Sequence, residues 1–187
     1  MAVKKVVITS GSESDSDQIF CRLDKMHYFL LRYVSSYALS GIPFEGSIMQ
    51  HTNRNELQLK IIQTQLKWER SIPEQVRVAF LDSGSYDPLA YYILKGVPLP
   101  SALMSAAEKN HYDHVFVLTP LTSTNGLTDI SKALFDVYRC YGHEPIAISA
   151  PSIDARLRTI LDLADPNREM LTTYRKEVVK EQIANGK

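Results

Sequence analysis

Short apolar blocks and longer amphipathic ones alternate along this chain. Residues 5–9 (KVVIT) form a β-branched run closed by Ser10 and Gly11, the pattern of a buried parallel strand entering a tight turn. Beyond a polar stretch at 12–17, Ile19, Phe20 and Leu23 recur at helical spacing and predict a first helix ending near Lys25 or Met26. Residues 28–34 read as a second strand. The clearest helix covers 55–70 (NELQLKIIQTQLKWER), with Leu57, Ile61, Ile62, Gln65 and Trp68 along one face and Pro73 past its end. Residues 76–81 (VRVAFL) predict a third strand running into Asp82, Ser83 and Gly84, and 88–94 a helix closed by Gly96 and two prolines. A fourth strand over 114–118 (HVFVL), a Thr- and Ser-rich loop over 119–128, a helix over 130–141 and a fifth strand over 145–149 complete the series. Parallel strands need crossover connections, so this alternation predicts a three-layer α/β domain over residues 1–164. Its sheet should be mainly parallel, with about five strands. Residues 165–187 are expected to form a helical tail whose Leu171, Tyr174 and Val178 dock on the domain or on a partner.

Composition narrows the function classes. At 187 residues, 44% of them hydrophobic, the chain can bury one proper core. Its 21 Lys and Arg are balanced by 21 Asp and Glu, which gives no footprint for nucleic acid or an anionic membrane. No apolar stretch approaches the roughly 18 residues of a membrane span. The opening MAVKKVVI turns polar too soon for a signal peptide, and the expectation is a soluble, cytoplasmic protein. Cys21 and Cys140 stand far apart without CxxC spacing and are expected to be buried free thiols. Of five histidines only His111 and His114 are close in sequence, with no third ligand beside them, so no metal site is expected.

Ligands of parallel α/β sheets bind at the carboxyl ends of the strands, which directs attention to the loop after the first strand, GSESDSDQ. A phosphate-binding loop there reads GxxxxGK[ST]: glycines let backbone amides wrap the phosphates, lysine neutralises them and the hydroxyl holds magnesium. Gly11 keeps the first position, but Ser16, Asp17 and Gln18 stand where glycine, lysine and Ser/Thr belong. Glu13, Asp15 and Asp17 place three carboxylates where a polyanion would sit, and like charges repel by roughly 4 kcal/mol at 4 Å and an effective dielectric near 20. Two other readings stand beside this one. Asp15, Ser16 or Asp17 can cap the following helix, and the acidic triplet could take a divalent cation, although it lacks the turn glycine and distal glutamate of a calcium loop.

Together with the stretch FLDSGSYDPLAYY over 80–92, these features resemble the AAA-type P-loop ATPases related to the nicotinamide riboside kinase domain. Members of that family show a strand ending LDRG and then DxxAYY. The resemblance runs from Val6 to about Leu161 and includes the Gln63 and Gln65 helix, the VFVLTP strand and the YGHEPI segment leading to Arg156. It implies a P-loop NTPase-like fold in which Asp82 would help place magnesium or deprotonate an acceptor. It also exposes losses. Ser83 replaces the family arginine, Tyr33 and Ser36 occupy the positions of an acceptor-facing Glu and Arg, and the turn Asn125-Gly126-Leu127-Thr128 carries no lid arginine.

The functional expectation is a pseudoenzyme, a catalytically degenerate kinase-like domain serving as a binding, regulatory or assembly subunit with a protein partner or a second copy. Ligand-binding candidates are Gly11, Ser12, Ser14, Ser16, Asp17, Gln18, Asp82 and Arg156. The alternative is an ATP- or GTP-dependent, magnesium-requiring kinase of a nucleoside-like small molecule, with Asp82 as base and Arg139, Arg156 or Arg158 as charge partners. A third reading is a site refitted for a neutral or cationic ligand, lined by Glu13, Asp15, Asp17 and Asp82. For Asp82 and Asp87 a helix-capping role is the commoner case, for Tyr91 and Tyr92 packing, and for Arg156 and Arg158 a solvated surface.

Overall fold

The computed structural model describes residues 2–10, 13–32, 34, 54–119 and 129–168, with the backbone alone for 13–15 and 54. Five strands alternate with helices: β1 (Lys4–Ser10), α1 (Glu13–Lys25), β2 (Phe29–Leu31), α2 (Arg54–Arg70), β3 (Val78–Asp82), α3 (Asp87–Lys95), α4 (Ser101–Ala107), β4 (His114–Leu118), α5 (Asp129–Cys140), β5 (Ile146–Ile148) and α6 (Ile153–Ala164). The strand order is β2-β3-β1-β4-β5, and every pairing is parallel. β1 therefore occupies the centre, with Ile8 opposite Asp82 on one side and Phe116 on the other.

The period-two alternation of a strand divides the core into two layers. Val7, Ala79, Leu81, Val115 and Val117 pack with residues of α2, α3, α4 and α5, while Val6, Ile8, Val78, Phe80, Phe116 and Leu118 pack under α1 and α6. Val6, Val7 and Ile8 are fully buried, which is why β1 reads as an unbroken apolar run rather than an alternating one. Asp165 fastens the end of α6: it accepts from Arg77 at 2.6 Å and from the Tyr28 hydroxyl at 2.9 Å, and Lys4 Nζ donates to the Ala164 carbonyl. Residues 165–168 of the expected tail are thus bonded to Tyr28, Arg77 and the end of α6, and the remainder lies outside the described residues.

Several expectations need correction. β2 is shorter than the run at 28–34, and α4 escaped the periodicity because it is a single short segment of small residues behind Pro98 and Pro100. Both cysteines are free, as expected, but exposed: Cys21 and Cys140 lie on the outer faces of α1 and α5, away from the neighbours that pack inward. On α2 the buried positions are Ile62, Gln65, Leu66 and Glu69, while Trp68 is only partly covered. A glutamate belongs to the inner face of that helix.

Candidate functional site

The carboxyl ends of β1 and β3 lie side by side, and the side chains around them converge from four elements. At the end of β1, Thr9 donates from its hydroxyl to Asp87 at 2.5 Å. Asp87 opens α3 and is half-buried; it also accepts from the Tyr138 hydroxyl of α5 at 2.5 Å and from the Gly84 amide at 3.1 Å. Burial pushes its carboxyl above the usual range, and these three donors oppose that rise. Asp87 accordingly ties β1, the β3–α3 turn and α5 together. The turn is tight: Ser83 adopts φ +76°, a left-handed conformation that costs a non-glycine residue roughly 1 kcal/mol or more. A Cβ on Gly84 would collide with the Tyr138 hydroxyl and stand 3.0 Å from the Tyr112 ring, so only glycine fits there.

Asp82 ends β3 on the same side. It caps no helix: its Oδ2 lies 3.7 Å from Nε of Arg32, the residue following β2. Through its second nitrogen Arg32 forms an ion pair with Asp17 of α1, and its guanidinium lies over the Phe20 ring at 5.0 Å. Burial pushes the Asp82 carboxyl up to about 6; Arg32 pulls it down, while the nearby charges of Asp17 and Asp87 add to the rise. One guanidinium thus holds two carboxylates from two different elements.

Behind this cluster a buried polar network reaches to the opposite end of the sheet. Gln65 donates to the Ser83 carbonyl at 3.3 Å and to Glu69 at 2.9 Å. Glu69 also pairs with Lys5 at 3.0 Å and accepts from Asn110 at 2.6 Å and the Tyr112 hydroxyl at 2.9 Å. The Ser85 amide donates to that same hydroxyl at 2.7 Å. The strained turn is therefore buttressed from below by α2.

The other candidates fall out as follows. Gly11 and Ser12 lie outside the described residues, as do Tyr33, Ser36 and the 120–128 part of the expected lid. Ser14 falls within α1; Ser16 is buried there, and Gln18 is exposed. Of the four carboxylates proposed to line a refitted pocket, the structure describes the side chains of Asp17 and Asp82 only. Arg156 corrects the expectation of a solvated arginine: it is 1% exposed, and its Nε donates to the Ala150 carbonyl at 2.8 Å, which fixes the β5–α6 connection. Arg158 is exposed on another face, and Arg139 stacks over Phe135 and lines a cleft with the amino ends of β4 and β5, far from Asp82. Tyr92 is buried, with its hydroxyl on Asn55 at 2.5 Å, and Tyr91 packs edge-on against it. His111 stacks on His143 at 5.2 Å rather than joining His114, and among the described residues no group of His, Cys, Asp or Glu is arranged to hold a metal ion. Sequence reasoning missed Arg32. Its signal was a lone charge in the apolar run 28–34, at the end where ligands bind.

A central β1 flanked by β3 and β4, with the site at the carboxyl edge, defines a P-loop kinase-like fold. Comparison with solved structures agrees. The chain is similar to thymidylate kinase from Ehrlichia chaffeensis at 11% identity and a TM-score of 0.59, over 87% of this chain and 99% of that one. It is similar to thymidylate kinase from Candida albicans at 9% identity, TM-score 0.54, over 89% and 93% of the two chains. Deoxyadenosine kinase from M. mycoides, solved with bound dATP, gives 12% identity and 0.52 over 84% and 97%. At such identities the likeness is one of fold. The family model described as an AAA domain matches residues 25–156, and the chain belongs to that family. No curated protein matches. Among the described residues no helix is long and apolar enough to cross a membrane.

Proposed function

We propose that this chain is a catalytically silent member of its family, a nucleotide-kinase fold kept as a binding, regulatory or assembly subunit. The observation that carries the reading is the charge at position 17. The phosphate loop's lysine position holds Asp17, and that carboxylate pairs with Arg32 instead of leaving a cation for a ligand. Among the described residues here, two carboxylates, Asp17 and Asp82, face the guanidinium of Arg32, and the charge of a third, Asp87, acts on Asp82. Magnesium and a polyphosphate do not fit such a set: the magnesium hydroxyl is replaced by Gln18, the lysine by a carboxylate, and a polyanion would be brought against fixed negative charge. A protein partner, or a second copy of the chain, in the cytoplasm is then the simplest object of its binding, with neither nucleic acid nor membrane called for by its balanced charge. Calorimetric titration with ATP and GTP, each with and without magnesium, should give no saturable heat and no rise in melting temperature. A micromolar dissociation constant overturns the reading.

One observation favours a second reading, a small-molecule kinase acting on a nucleoside-like acceptor with an unorthodox phosphate loop. The Asp82 carboxyl, pushed up to about 6, is poised to take the proton from an acceptor hydroxyl as that oxygen attacks phosphorus. Under this reading a screen of nucleosides with ATP yields a phosphorylated product, and Asp82→Asn abolishes it. Absence of product with the unaltered protein removes it.

A further inference from the structure

We infer that Arg32 is an internal latch: by bridging the head of α1 to the end of β3 it occupies, with the chain's own carboxylates, the place where a phosphate-bearing anion would have to bind. This rests on the reading of a silent phosphate site and names the device that keeps it silent.

The bridge joins three elements. Arg32 leaves the end of β2, an edge strand; its guanidinium lies over Phe20 of α1 and reaches Asp17 with one nitrogen and Asp82 with another. A guanidinium offers a rigid fork suited to paired oxyanions, and in a phosphate site that fork would meet the ligand. Here both oxyanions come from the protein. They are tethered, so a free anion competes against a local concentration in the millimolar range or above. The two contacts are unequal. The Asp82 carboxylate is largely enclosed and sits beyond ordinary hydrogen-bond reach of Nε, whereas Asp17 is about half exposed and makes the direct contact. Asp17 is therefore the part of the latch that can be removed without opening the core.

Two other places carry less. The cleft between Arg139, His143 and the start of β4 contains a buried imidazole nitrogen without a partner, but that atom is closed to solvent and hence to a ligand. The exposed Ile93, Leu94 and Val97 have nothing in the structure to say what covers them.

The test uses sodium pyrophosphate as the probe, titrated at low ionic strength into the unaltered protein, Asp17→Asn, Asp17→Asn/Arg32→Gln and Glu74→Gln. The last removes the same charge from an exposed position before β3, at the other end of the sheet. Asp17→Asn should bind pyrophosphate roughly tenfold or more tightly than the unaltered protein, the worth of about one freed charge-assisted contact. The gain should weaken with added salt and disappear in the double variant, while Glu74→Gln stays at the starting level. If Arg32→Gln fails to fold, Arg32→Lys replaces it: it keeps the charge, lacks the fork and should lose most of the gain. A response of Asp17→Asn equal to that of Glu74→Gln, or a gain that survives removal of Arg32, overturns the latch and leaves the silent-site reading standing. Micromolar pyrophosphate binding by the unaltered protein overturns the silent-site reading itself.

Discussion

At the scale of single residues, the β3–α3 turn holds two aspartates with different tasks. Asp87 is saturated by donors from three elements and acts as a structural pin. Among the described residues Asp82 has one cationic neighbour, Arg32, which does not offset its burial. Because its folded value of about 6 lies above the ordinary 3.8, the folded protein holds this proton more tightly than the unfolded chain. The stability it contributes is complete below pH 3.8 and is lost as the pH climbs through about 6, by an amount of the order of 2–3 kcal/mol. Asp82→Asn should therefore flatten the change in stability between pH 4 and 7 and make the protein more resistant to urea at pH 7, as denaturation at both pH values would register. These roles were half legible in the sequence. An aspartate after a strand suggests a cap, yet the partner that settles its role, Arg32, lies 50 positions away and is brought close only by strand order.

At the scale of elements, α2 shows where hydrophobic periodicity misleads. Its spacing correctly announced a long helix, and the structure places it over Arg54–Arg70. The same spacing gave too much weight to Leu57, Ile61 and Trp68, because a face lined by Gln65 and Glu69 looks polar until its partners are known. Those partners, Lys5, Asn110, Tyr112 and the Ser83 carbonyl, come from distant segments, so no local pattern could disclose them. Glu69 is nearly sealed from solvent while Lys5 is partly exposed. Removing the glutamate alone strands its donors, and Glu69→Ala should lower stability by about 2–4 kcal/mol in urea denaturation. Replacing Lys5 as well, as Lys5→Met with Glu69→Leu, should recover only the part of that loss owed to the stranded ammonium, because Gln65, Asn110 and Tyr112 still lose their acceptor. The strand–helix alternation itself was plain in the sequence, because β-branched runs bounded by Gly, Pro and Asp carry their own punctuation. The seven-residue α4 had no such mark.

At the scale of the molecule, alternation foretold a parallel sheet but not the order of its strands. That order follows from crossovers, which the local pattern does not encode. Placing β1 between β3 and β4 is also what brings Thr9, Asp82 and Asp87 to one edge. The same placement shapes how the chain must come into being. β1 leaves the ribosome well before its two neighbours, Val78–Asp82 and His114–Leu118, are made. At translation rates of roughly 5–20 residues per second, β1 waits on the order of ten seconds before both its edges can be covered. Throughout that interval its apolar Val6, Val7 and Ile8 are a sticky ribbon with bare backbone on either side, so it is around β1 that the nascent domain is most in need of a chaperone.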